Sequence, residues 1–189
     1  MRAAVAVAAC AAVVFAYALA QRGPAELEVQ GLPLSAAEFP LVGSYAQDFA
    51  LPAFAPASAN LADSVRLSDF AGRWVYLDVF GSWCPPCRAK YPEMQQVAAE
   101  LQEEGAAVIG LLLAEQPEAA LDFFDEARMP VYPFAVLDEH TAARWVITGA
   151  PMGILVSPEG RIERRCLGCS SEAERIGTLP EFVRARMRG

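Results

Sequence analysis

The chain has 189 residues, enough for one domain of ordinary size. Hydrophobic residues make up 54 % and charged residues 20 %, which supports a filled core and excludes a disordered chain. A net charge of −8 lacks the basic face that nucleic acid or an anionic membrane surface requires, and a single His excludes a multi-histidine metal centre.

Residues 3–20 carry no charge, follow Arg2 and end at Gln21-Arg22. As a helix this run reaches about 27 Å, just enough to cross a hydrocarbon core. Residues 1–22 therefore read as a signal peptide cleaved near Ala20 or as an uncleaved signal anchor, and both place the rest of the chain outside the cytoplasm. Residues 23–42, rich in Gly, Pro, Ala and Glu, read as a linker, and residues 43–189 as the folded domain.

Within that domain Phe49–Pro52 and Val65–Leu67 suit an N-terminal hairpin. Trp74–Phe80 is a β-branched and aromatic run, a buried strand. Residues 85–104 read as a helix stopped by Gly105, and 107–113 as a second buried strand. A helix over 117–128 opens with Pro117, a short strand covers 134–137, and a brief helix covers 139–147. Ile154–Val156 and Arg161–Arg164 flank the turn Ser157-Pro158-Glu159-Gly160 and read as a hairpin. Ser171-Glu172-Ala173-Glu174 fits a capping box for a last helix. The order gives an α/β domain with a central mixed sheet flanked by helices.

Four of the five Cys fall in two C-x-x-C pairs. Cys84-Pro85-Pro86-Cys87 sits where a buried strand gives way to a helix. A helix N-terminus favours negative charge, so Cys84 there suits an attacking thiolate, and Cys87, one turn on, suits a resolving thiol. Pro85 and Pro86 stiffen the turn. Asp78 is the only charge in its strand, and a buried carboxyl has its pKa pushed up into a range useful for proton transfer. Cys166 and Cys169 follow the second strand of the hairpin, which runs back toward the Cys84 edge. They read as a second disulfide, either a structural clip or an electron relay, with a four-cysteine zinc site joining both pairs as a further reading. Trp83 and Phe80 read either as lining the substrate surface or as core, at least one ring of Phe123-Phe124 as core, and His140 as a solvated turn residue.

The stretch from Tyr45 to Arg184 resembles thioredoxin-fold proteins of the extracytoplasmic TlpA/ResA group, which includes the cytochrome c maturation thioredoxins. The resemblance rests on Val65–Arg73 leading into the central strand, on Trp83-Cys84-Pro85-Pro86-Cys87-Arg88, on Pro92 inside the helix, and on Gly149-Ala150-Pro151 before a strand. It implies a thioredoxin-like fold with an N-terminal hairpin extension and a cis Ala150–Pro151 bond. It implies that Pro151 packs over the Cys84–Cys87 disulfide, and that Trp83, Pro85, Pro86, Ala150 and Met152 face an extended client. Asp78, six residues before Cys84, matches the buried Asp of thioredoxin that assists proton transfer from the resolving thiol. The resemblance implies no cofactor beyond the redox-active disulfide and no metal. It implies a monomer, client proteins with disulfides or thiols, and a membrane thiol-reducing transporter as electron donor. Clients in this group include apocytochrome c and copper-site proteins of oxidases.

Two positions depart from the group. Lys90, the only Lys in the chain, stands where an acidic residue is common, and Met152 replaces an acidic residue after the cis-proline. Both remove negative charge near the thiols, and Lys90 also reads simply as a solvated helix residue. The expected activity is reduction of client disulfides, with an oxidase or isomerase using the same site as the alternative. A Cu(I) carrier on such a fold usually adds a placed His or Met, and His140 has no evident pairing with Cys84; a thiol peroxidase needs Pro-x-x-x-Thr/Ser-x-x-Cys, which fails in both registers.

Overall fold

A computed structural model describes residues 41–54, 64–115, 117–127, 130–168 and 179–188, all within the compact unit Glu38–Gly189. The signal segment and linker, the capping box at 171–174 and Cys169 lie outside the described residues.

The apolar runs form the middle of a seven-stranded sheet. In chain order the elements are β1 (Ala50–Phe54), β2 (Ser64–Arg66), a 3-10 turn (Leu67–Phe70) and β3 (Val75–Phe80), followed by α1 (Pro85–Glu103), β4 (Ala107–Leu113), α2 (Pro117–Ala127) and β5 (Phe134–Leu137). Then come α3 (Glu139–Arg144), β6 (Met152–Val156), β7 (Ile162–Leu167) and α4 (Leu179–Met187). The strand order is β2-β1-β5-β4-β3-β6-β7. The strands β3, β4 and β5 run parallel; β6 is antiparallel to β3, β7 to β6, and β1 to both β2 and β5. The mixed sheet and the N-terminal hairpin expected from the sequence are both present.

Period-two alternation sorts the side chains of the sheet into two layers. Tyr76, Phe80, Val108, Leu112, Phe134 and Leu155 pack with α1 and with Phe123 and Phe124 of α2, and Val183 of α4 joins the same layer. Leu77, Val79, Ile109, Leu111, Met152 and Ile154 pack in the other layer with Phe49 and Trp145. With both faces covered, every residue of β3 is buried.

One row across the sheet has no bulk beside its only charge. Asp78 pairs with Gly110 of β4 on one side and Gly153 of β6 on the other, and Gly153 pairs with Cys166 of β7. Paired residues share a face, so this row points toward α1. The glycines leave room for aromatic rings. A Cβ on Gly110 would lie 2.2 Å from the Phe134 ring, and one on Gly153 would lie 2.1 Å from the Tyr76 hydroxyl. The strand β7 runs to Leu167, past the expected end at Arg164, and so brings Cys166 into this row.

Gly153→Ala should lower stability by about 1–3 kcal/mol, because the added methyl meets a buried ring end. Gly160, with φ +80° and open space around it, carries only the backbone term, about 1 kcal/mol for Ala. Urea unfolding of both variants checks the contrast; an equal loss at the two positions would count against the packing argument.

Candidate active site

Cys84 is the N-cap of α1, with extended backbone at φ −93° and ψ 106°, and its Sγ accepts the Cys87 N–H at 3.2 Å. The two sulfurs are joined in a disulfide, with Cα atoms 5.2 Å apart. Pro85 and Pro86 occupy the first helical positions, where no N–H is needed, and both are exposed. Pro92 sits inside the same helix, as expected.

The rim is held by contacts from other elements. Trp83 is 53 % exposed, yet its indole N–H donates to the Leu113 carbonyl at 3.0 Å, which fixes the ring beside the disulfide. A Cβ at Gly81 would lie 2.6 Å from that indole, so the glycine lets it fold back. The Ser82 N–H and hydroxyl both donate to Glu115, the hydroxyl at 2.9 Å. The Arg88 guanidinium lies over the Phe123 ring, 4.7 Å from its centroid.

The Ala150–Pro151 bond is cis. Pro151 lines a cavity of about 10 Å3 together with Asp78, Cys87 and Lys90, roughly the room one water needs. The Pro151 carbonyl accepts the Gly168 N–H at 2.7 Å, so the end of β7 closes onto the proline loop.

Asp78 is buried behind Cys87 in this cavity. Its Oδ2 accepts the Tyr132 hydroxyl at 2.9 Å. Burial pushes the carboxyl up to about 6, opposed by that hydrogen bond and by the positive charge of Lys90. Tyr76, Tyr91 and Tyr132 are pushed up by burial and by the Asp78 charge, so they stay protonated donors. Tyr132 is held by its neighbour: the Val131 N–H donates to Gln95 Oε1 at 3.0 Å and the Val131 carbonyl accepts from Gln102 at 3.1 Å.

The structure thus brings Asp78, Cys87 and Pro151 onto one cavity, with Cys84, Pro85 and Pro86 at the start of α1, Trp83 just before them, and Ala150 joined to Pro151 by the cis bond. Met152 is placed differently from the expectation. Strand alternation sends its side chain into the opposite layer, 3.6 Å from Arg165 Nη2, so it does not face the disulfide. Lys90 is also corrected: its Nζ donates to the Gly168 carbonyl at 3.0 Å, and it is not a solvated helix residue. Cys166 is disulfide-bonded, while Cys169, its expected partner, lies outside the described residues. Sequence reasoning missed Tyr132 and Gly168. The available signal for the Asp78 surroundings was Gly110 and Gly153 inside otherwise bulky strand runs.

A C-x-x-C disulfide at a strand-to-helix junction, facing a cis-proline loop, is the site of a thioredoxin-like protein. The chain belongs to the AhpC/TSA family, whose model matches residues 42–165. It is 30 % identical over 134 residues to the thiol:disulfide interchange protein CycY of Rhizobium leguminosarum bv. viciae, covering 69 % of this chain and 70 % of that one. It is 27 % identical over 142 residues to the thiol:disulfide interchange protein DsbE of Pseudomonas aeruginosa, covering 74 % of each. It is 23 % identical to the thiol-disulfide oxidoreductase ResA of Bacillus subtilis over 58 % of this chain, and spans 61 % of that relative's length. A crystal structure assigned as a thiol:disulfide interchange protein DsbE from Chlorobium tepidum superposes with a TM-score of 0.63 at 27 % identity, over 75 % of this chain and 95 % of the other. With this fold, this site and these relatives, the chain is a thiol–disulfide oxidoreductase.

The raised Asp78 pKa sets a sign for stability. An ordinary Asp near 3.8 loses its proton earlier in the unfolded chain than Asp78 does in the fold, at about 6. Stability therefore falls as pH rises from about 4 to about 6, and stays lower above that. Asp78→Asn should stabilise the protein at pH 8, by up to about 3 kcal/mol, and change little at pH 3.5. Thermal melts of both proteins at the two pH values check this; equal shifts at both would contradict the buried-charge account.

Proposed function

We propose that this protein reduces disulfides of extracytoplasmic client proteins, using Cys84 as the attacking thiol and Cys87 as the resolving thiol. The observation that carries the reading is the placement of Asp78 and Cys87 on one small cavity under the cis-proline, with Cys84 capping α1 above it. The helix N-terminus stabilises a Cys84 thiolate. That thiolate attacks one sulfur of a client disulfide, forms a mixed disulfide and expels the other client sulfur as thiolate. Asp78, as carboxylate, takes the proton of Cys87, directly or through one water in the cavity. The Cys87 thiolate then attacks Cys84 Sγ, which releases the second client thiol and leaves Cys84–Cys87 oxidised. Two electrons have passed to the client.

Trp83, Pro85 and Pro86 offer an apolar platform, and Ala150 and Pro151 offer backbone to an extended client. No cofactor beyond the disulfide enters the cycle. A membrane thiol-reducing transporter is the proposed electron donor, and a monomer the proposed state. Export is supported by the charge-free run at residues 3–20 and by a disulfide at Cys166 as well as at the active site. Among the described residues no helix is long and apolar enough to cross a membrane, and the anchor or cleaved signal is assigned to residues 1–22.

The reduction potential of Cys84–Cys87 in the full-length protein tests the direction. A value near or below about −250 mV is expected of a reductase, whereas one near about −120 mV would make the protein an oxidant of its clients. Separately, Cys87→Ser should accumulate a mixed disulfide with client proteins and Cys84→Ser should not. Non-reducing gels of the two variants check this, and trapping by Cys84→Ser would reverse the assigned roles.

A further inference from the structure

Gly168 makes two backbone contacts with the active site. Its N–H donates to the Pro151 carbonyl at 2.7 Å, and its carbonyl accepts Lys90 Nζ at 3.0 Å. Its φ of +80° is a conformation that favours glycine, and it is what aims both groups inward. Two residues earlier Cys166 is disulfide-bonded and stands in the cross-sheet row of Asp78, which anchors the start of this strap.

Lys90 follows Cys87 by one turn of α1 and forms part of the wall of the cavity shared by Asp78, Cys87 and Pro151. A lysine side chain in solution samples many rotamers, and a free one on a helix extends into water. Here a carbonyl just past the end of β7, far along the chain, accepts from the ammonium of a side chain that lines the cavity.

We propose that Lys90 is a positioning residue for thiol–disulfide exchange: the Gly168 carbonyl holds its side chain in the wall of the cavity that Asp78 and Cys87 share, where its ammonium bears on the proton transfer between them. The inference rests on the reading of Asp78 as the proton acceptor for Cys87. Asp78 is acted on by the Tyr132 hydroxyl beside β5 and by Lys90 on α1, and its charge acts in turn on Tyr76 of its own strand and Tyr91 of α1, with Cys87 across the cavity. Arg164 of β7 acts on Tyr76. The phenols remain neutral in the working range, so among these groups Lys90 supplies the positive charge. Its effect opposes burial and makes the carboxylate available at lower pH.

The resolving step can be followed alone. A mixed disulfide of Cys84 with 2-nitro-5-thiobenzoate is formed on the full-length protein, and release of the coloured thiol by Cys87 is timed by stopped flow from pH 4 to 9. The wild-type rate should show a midpoint set by Asp78, and Asp78→Asn should lack it. Lys90→Gln should move that midpoint upward by at least about 0.5 pH units, and Lys90→Arg should return it toward the wild-type value. A purely structural role for Lys90 would change rates without moving the midpoint. An unmoved midpoint in Lys90→Gln, or an equal shift in Lys90→Arg, would overturn the inference while leaving Asp78 in place. A midpoint that survives in Asp78→Asn would overturn both the inference and the proton role on which it rests.

Discussion

The structure is organised around one cost, a carboxyl in the middle of a strand whose six residues are all buried. An unpaired charge there is unfavourable by several kcal/mol, and the fold answers in kind. The phenol of Tyr132 donates to the carboxylate, and Lys90 supplies opposite charge. Gly110 and Gly153 clear the two flanking strands so that the Phe134 ring and the Tyr76 hydroxyl can close around it. Gln95 and Gln102 clamp Val131 and so hold Tyr132 against its acceptor. None of these residues is a thiol, yet each bears on when the carboxyl is charged. Held near neutrality by burial, Asp78 is a usable base at a pH where an ordinary Asp is too weak an acceptor.

The thiols themselves need little beyond their place on the helix, because the surrounding rim is rigid for independent reasons. Trp83 is exposed but pinned by Leu113; Ser82 is pinned by Glu115, and Arg88 lies over Phe123. The surface around the disulfide is therefore preformed, and docking there would cost the protein little conformational freedom. The proline loop is fixed from two directions. Gly168 holds the Pro151 carbonyl, while Arg165 donates to the carbonyls of Trp145 at 2.7 Å and Val146 at 3.0 Å at the loop's entry.

Much of this was legible in the sequence where chemistry and local pattern coincide. The continuous apolar runs at β3, β4 and β5 announced buried strands, and Pro85-Pro86 after Cys84 announced a helix start. Asp78 stood out because nothing else in its strand is charged. What was not legible came from contacts between distant segments. Lys90 meets a carbonyl 78 residues away, and no helical periodicity encodes that. Tyr132 reaches Asp78 across 54 residues and carried no local mark beyond being aromatic. The length of β7 was underread because its last residues, Arg165-Cys166-Leu167, alternate without a strong apolar signal, and pairing with Met152–Ile154 decides the matter.

Met152 shows how alternation constrains what a position can do. Because Gly153 must face α1 to make room beside Asp78, its neighbour Met152 must face the other layer. The side chain of the residue after the cis-proline is therefore buried on the far side of the sheet from Asp78. Its side chain instead meets Arg165, a guanidinium that is buried, whose charge is disfavoured there by desolvation, and whose Nε has no hydrogen-bond partner among the described residues. An acidic residue at this position would give that cation a partner, and Met gives it only a weak thioether acceptor. Since the same guanidinium holds the carbonyls at the start of the proline loop, position 152 bears on that loop through the cation it meets rather than by contact with the disulfide.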